Sequence, residues 1–129
     1  MGDAIQAVET AIFLALGGNI VGAPVYQHPP QDASWPLVVI GDIDGAQPIG
    51  FFGNPDRIVP IQIVVATEGR ERAPCTMLVA QVVALLDDVP LSHGGFNIRA
   101  TLDSETVNNS EDGKGYVGIA TFRVFALAD

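Results

Sequence analysis

A proline-rich stretch opening onto an aliphatic run restricts the fold more than any other part of this chain: Pro24-Val25-Tyr26-Gln27-His28-Pro29-Pro30-Gln31-Asp32-Ala33-Ser34-Trp35-Pro36-Leu37-Val38-Val39-Ile40-Gly41. Each proline fixes its own φ and drives the residue before it toward extended backbone, so Tyr26 to Trp35, within an extended arm over 24–36, are expected to form a shaped, nearly strand-free connector. Leu37, Val38, Val39 and Ile40 then read as a strand buried in a sheet that helices cover. An ordered apolar arm needs a surface to lie on, either in its own subunit or in a neighbouring one.

The rest of the chain alternates helical and extended patterns. Asp3 is placed to cap a first helix in which Ile5, Val8, Ile12 and Ala15 or Leu16 recur at helical spacing, and Gly17-Gly18 ends it. A strand is predicted over 37–44, followed by a long loop over 45–56 punctuated by Gly45, Pro48, Gly50, Gly53 and Pro55. Residues 57–67 set Ile61, Ile63 and Val65 on one face of a second strand. There Pro60 removes a ladder donor and implies an edge, a bulge or an interruption. After the polar turn Glu68-Gly69-Arg70-Glu71-Arg72, a second helix is predicted over 73–86, with Pro74 in its first turn. Met77 or Leu78, Gln81 or Val82, and Leu85 supply its apolar recurrence. Residues 96–107 and 116–127 alternate as half-buried strands, and the polar, glycine-bearing segment 108–115 joins them as a long hairpin. The order α-β-β-α-β-β predicts a single α+β domain over residues 1–129, a mainly antiparallel sheet of about four strands with two helices on one face.

Composition narrows the class. Apolar residues make up 48% and charged residues only 16%, against ~25% charged in typical soluble domains. The excess fits either an ordinary apolar core or contacts between subunits. A formal charge of −9 repels a phosphate backbone, which argues against sequence-specific nucleic-acid binding and keeps an apolar protein in solution. The single Cys75 excludes an intrachain disulfide and a multi-cysteine zinc site, and it fits a reducing cytosol. Apolar residues 4–23 are interrupted by Gln6, Glu9, Gly17-Gly18 and Asn19 and have no basic stretch before them, so neither a membrane span nor a secretory signal is expected. Asn108-Asn109-Ser110 is then a glycosylation sequon with no compartment in which to act.

Residues able to carry chemistry are few. Asp42 and Asp44 share a strand face, the minimum for a divalent ion. Ala46 nevertheless stands where a calcium loop places its third oxygen and no glutamate closes the loop, so solvated acids at a strand end are expected. Asp103 and Glu105 read the same way. His28 and His93 lack a Ser or Cys nucleophile at a recognisable spacing and are assigned packing or loop roles. Cys75 stands near a helix start beside Arg70 and Arg72, a setting able to lower a thiol pKa, but an inert, partly buried cysteine is the preferred reading. Gly113-Lys114-Gly115 lacks the partners of a nucleotide cradle and reads as a hairpin tip. Phe51-Phe52, inside the loop 45–56, need apolar surface from their own core or a partner's. No catalytic, cofactor or metal residue is assigned, which favours assembly over catalysis. The competing class is a small α+β enzyme or ligand-binding domain with a pocket around His28, Asp42 and Asp44.

Taken in order along the chain, these motifs resemble the tail-completion, or tail-terminator, family of long-tailed bacteriophages and gene transfer agents. The resemblance runs through the first helix, Pro24-Val25-Tyr26, Pro29-Pro30-Gln31-Asp32 and Trp35-Pro36-Leu37-Val38-Val39-Ile40-Gly41. It continues through Ile61 to Val65, Glu68-Gly69-Arg70, Pro90-Leu91 and the closing hairpin from Asp112-Gly113 to Phe122-Arg123-Val124. It implies a structural virion protein of the tail or neck, made in the host bacterial cytoplasm. The family forms a ring, a homo-oligomer expected to be hexameric, that caps the head-proximal end of the tail tube and stops tube growth. That ring joins the tube protein to the head connector or stopper and lets genomic DNA pass through without specific binding. Neither cofactor nor membrane is implied. Tyr26, Pro29, Pro30, Trp35, Phe51 and Phe52 are the expected interface residues, and an acidic lumen suits sliding DNA.

Overall fold

The computed structural model of the protein describes residues 3–43, 45–49 and 54–129, with Asp42 described by its backbone alone. Helix α1 (Ala4–Leu16) starts where the Asp3 carboxylate accepts a hydrogen bond from the Ile5 N–H at 3.1 Å, as the sequence predicts. Its buried stripe is Ala4, Ala7, Val8, Ala11, Ile12 and Leu16. Ile5 is only half-buried, because small alanines let the helix backbone approach the sheet along a stripe shifted by one residue. Helix α2 (Ala73–Leu86) buries Cys75, Leu78, Val79, Val82 and Leu86, which decides between the alternative registers left open by periodicity.

Among the described residues seven strands form one sheet: β1 (Val25–Tyr26), β2 (Leu37–Ile43), β3 (Gln47–Pro48), β4 (Arg57–Glu68), β5 (Pro90–His93), β6 (Phe96–Asn109) and β7 (Gly115–Ala128). Their spatial order is β1-β2-β4-β7-β6-β5, with β3 paired to β4 beyond the end of β2. The pair β1–β2 is parallel and the others are antiparallel. The expectation of an antiparallel sheet of about four strands with two helices on one face is therefore overturned. The sheet is a mixed, curled half-barrel with two helices. Three strands of two to four residues escaped the periodicity because segments that short carry none. The curl follows from the natural twist of the 14-residue strands β6 and β7 and from irregular register between Leu102 and Ser104 and between Ile40 and Ile43.

Pro60 shows how the sheet absorbs its missing donor. It pairs with Arg123 on one side, while on the other it falls between Ile61, the last partner of β2, and Ile58, the first partner of β3. Strand β4 is thus central over most of its length, and the proline sits in the gap between its two partners on that side.

Alternation along the long strands divides the sheet cleanly. Val59, Ile61, Ile63 and Val65 of β4, Ala120, Phe122, Val124 and Ala126 of β7, and Phe96, Ile98 and Ala100 of β6 face the core with both helices. The β6–β7 hairpin closes at Ser110, whose hydroxyl donates to Asp112 Oδ1 at 2.7 Å and accepts from the Gly115 N–H at 3.1 Å. The Lys114 N–H also donates to Asp112. The Ser110 hydroxyl, then that N–H, hold the Asp112 carboxyl below its ordinary pKa. A depressed folded-state value stabilises the tip above the ordinary carboxylate range and is lost as pH falls through the lowered value. An NMR titration should show Asp112 protonating at lower pH than an unfolded reference peptide, with the Gly113–Gly115 amides exchanging faster once it does. Protonation at the ordinary value would contradict this.

Candidate assembly site

The arm, residues 24–36, departs from the fold as an exposed connection. It is tied at its start, where Val25 and Tyr26 pair with Val38 and Val39 and the Val38 N–H donates to the Pro24 carbonyl at 2.9 Å. A turn from the Ala33 N–H to the Pro30 carbonyl shapes its middle, and the Trp35–Pro36 peptide is cis. Tyr26 and Trp35 are half-buried, while His28, Pro29 and Pro30 are exposed. Of the expected connector from Tyr26 to Trp35, only Tyr26 lies in a strand. Phe51 and Phe52 lie outside the described residues.

Helix α2 supplies a second feature. From Ala73 to Leu86 it holds no charged residue, although Ala73, Thr76, Met77, Ala80 and Ala84 are exposed. An exposed helix face ordinarily carries charge. Beside Met77 lies a largely apolar cleft of about 380 Å³, lined also by Val21, Gly22, Pro36, Pro74, Leu78, Gln81 and Thr67, with one acid, Glu68, at its edge. The Gln81 amide accepts from the Val21 N–H at 2.7 Å and donates to the Val21 carbonyl at 3.0 Å. This pins the Val21 backbone while its side chain stays 79% exposed, and Met77 opposite is 65% exposed. The Thr67 hydroxyl, in a residue only 2% exposed, finds no nitrogen or oxygen partner among the described residues and lies beside the Cys75 thiol.

A third surface is the outward side of the sheet. On β4 and β7 its positions carry two charges, Arg123 and, at the end of β4, the exposed Glu68. Val39, Val64 and Ile119 form one row across three strands, and Ile58 and Phe125 form another. Arg123 meets Asp103 at 2.9 Å, and Arg99, farther along the same side, meets Asp88 at 3.2 Å. These half-exposed pairs contribute ~0–1 kcal/mol each. They tie up the two cations with acids at the sheet margin.

The remaining candidates stay apart. His28 is exposed on the arm and His93 is exposed at the end of β5, while Asp44 and the Asp42 side chain lie outside the described residues. No group of three or more His, Cys, Asp or Glu side chains able to hold a metal is found among the described residues. Asp103 is engaged by Arg123, and Glu105 is exposed on β6. Burial raises the Cys75 thiol pKa, against a smaller opposing effect of the Thr67 hydroxyl beside it. The thiol is buried, in keeping with the inert reading, and Arg72 lies instead over the Tyr116 ring at 5.6 Å. Periodicity missed the uncharged face of α2. Its signal was available as 14 consecutive residues without a charge.

A family model described as "Tail completion protein gp17" matches residues 10–126. Among solved structures, a chain from the virion of a native gene transfer agent particle is similar, with a TM-score of 0.85, 17% identity and coverage of 98% of each chain. The gp17 protein of bacteriophage SPP1 is similar over 98% of this chain and 86% of its own, with a TM-score of 0.53 and 24% identity. No curated protein sequence matches significantly. At these identities the two structures speak for the fold, and the family match over most of the chain speaks for kinship. The chain belongs to the tail completion protein family and is a structural virion component, not an enzyme.

Proposed function

We propose that this chain assembles into a ring, expected to be hexameric, at the head-proximal end of a tail tube. There it ends tube growth and joins the tube to the head connector or stopper. Ordered apolar surface that the subunit leaves uncovered carries this reading: the tied arm with Pro29 and Pro30 exposed, and the uncharged face of α2. Preshaped segments lose little entropy when a neighbour captures them, which suits straps between ring subunits. The arm and the loop 45–56 are the expected contacts with neighbouring subunits or axial partners. The net charge of −9 supports a lumen through which DNA slides without sticking.

Native mass spectrometry and electron microscopy of the purified chain, alone and with tail tubes, test the reading. The expected result is a closed ring, formed spontaneously or on the tube end. A chain that stays monomeric or dimeric in both conditions sinks it. A ring whose pore is lined mainly by Arg57, Arg70, Arg72, Arg99, Lys114 and Arg123 sinks the acidic lumen.

A further inference from the structure

We propose that Asp112–Gly113 is a latent site of spontaneous aspartate isomerisation, and that the Ser110 hydroxyl beneath the hairpin tip holds it closed in the folded protein. The inference stands independently of the ring reading above. Glycine after aspartate leaves the backbone nitrogen with no side chain beside it to hinder attack, and Glu111, Asp112, Gly113 and Lys114 are all exposed to water. In the reaction the Gly113 nitrogen loses its proton and bonds to Asp112 Cγ, while the carboxyl, protonated first, releases one oxygen as water. Water then opens the succinimide ring. Attack at the side-chain carbonyl restores aspartate, and attack at the backbone carbonyl leaves isoaspartate, whose chain runs through Cβ and is longer by that atom.

The folded tip opposes each requirement. Asp112 Oδ1 accepts from the Ser110 hydroxyl at 2.7 Å and from the Lys114 N–H at 3.0 Å, which fixes the carboxyl group and favours its charged form, from which no water can leave. The Gly113 N–H donates to the Ser110 carbonyl at 3.0 Å, so the attacking nitrogen is engaged as well. Ser110 is only 8% exposed, and its hydroxyl also accepts from the Gly115 N–H at 3.1 Å. One buried residue therefore holds both reacting groups. The consequence reaches beyond the tip, because the Lys114 carbonyl accepts from the Gly69 N–H at 2.9 Å in the turn between β4 and α2. Asp112 and Lys114 also line a hollow of about 260 Å³ with Glu68, Gly69 and Trp35 of the arm. An added backbone atom at residue 112 displaces these partners and loosens the tip from that turn.

Prolonged incubation of the full chain at neutral pH, followed by digestion and mass spectrometry with electron-transfer fragmentation, tests this, since such fragmentation separates isoaspartate from aspartate at a named position. The folded chain should isomerise at Asp112 at least about tenfold more slowly than the same chain unfolded in urea, because several hydrogen bonds must open first. Ser110→Ala, shown to be folded by circular dichroism, should isomerise there at least about fivefold faster than the native chain, as the loss of one hydrogen bond to a charged group demands. Asp44–Gly45, the other such pair in the sequence, should keep its native rate in that variant. Equal rates at Asp112 in the folded and unfolded chain, a folded Ser110→Ala protein no faster than native, or an equal rise at Asp44 each overturn the proposal. Should Ser110→Ala fail to fold, the comparison of native and urea-unfolded chain decides by itself.

Discussion

Phe122→Ala is expected to destabilise the protein by about 3–5 kcal/mol, the usual range for removing a large buried aromatic side chain. Phe122 is 0% exposed, among the largest fully buried side chains, and sits at the centre of the sheet with Ile61 opposite it on β4 and Leu102 on β6. Rigid strands on both sides keep the site from collapsing, so the cavity remains. For a domain with ~5–15 kcal/mol of total stability this is a large share, and it corresponds to a fall in Tm on the order of 10–20 °C. Phe125 is the internal control. It stands on the outward side, half-buried, and Phe125→Ala should cost the isolated subunit less than about 1.5 kcal/mol. Equal losses for the two variants in urea unfolding would mean that the division of β7 into a buried and an outward face is wrong.

The second large effect is expected at Gly118, where β7 passes directly beneath α2. A Cβ built there would collide with Val79 Cγ2 and approach Cys75 Sγ to 3.2 Å. Backbone freedom is not what this glycine supplies, because its φ is not among the positive values of the chain. It supplies room for the helix. Gly118→Ala forces α2 outward or Val79 out of its rotamer, at a cost of about 1–3 kcal/mol, and Gly118→Val should exceed that. Because the clash has a named partner, Val79→Ala in the Gly118→Ala background should recover part of the loss. The two substitutions should then show a coupling of about 1 kcal/mol in a double-mutant cycle. Additive effects would show that Val79 is not the obstacle.

Both predictions rest on features of unequal legibility. The buried face of β7 could be read directly, since Tyr116, Gly118, Ala120, Phe122 and Val124 alternate over a strand long enough for period two to stand out. Gly118 itself looked like one more position in that alternation. Its function appears only when α2, more than thirty residues earlier in the chain, is laid across it. The helices behave similarly. Caps and ends were legible from Asp3, Gly17 and Pro74, whereas the choice between Met77 and Leu78 depended on which side met the sheet. Leu78 went inside and Met77 remained exposed to line the cleft with Val21.

The candidate site divides along the same line. Stiffness of the arm was legible because proline restricts its own and the preceding residue's torsions wherever it stands. That the arm would also supply the parallel strand β1 was not, because Val25 and Tyr26 become a strand only through their partners Val38 and Val39.

By itself, the sequence determined what local chemistry can decide: the two helices, the long alternating strands, the hairpin at 108–115 and the acidic charge. Tertiary structure alone decided the seven-strand count, the curl, the choice of helix faces and the meeting of Val21, Pro36, Thr67 and Met77 around one cleft. The physical reason is range. Torsional preference and periodicity act over a few residues, while short strands, close packing at a glycine and clefts are set by groups far apart in the chain that only folding brings together.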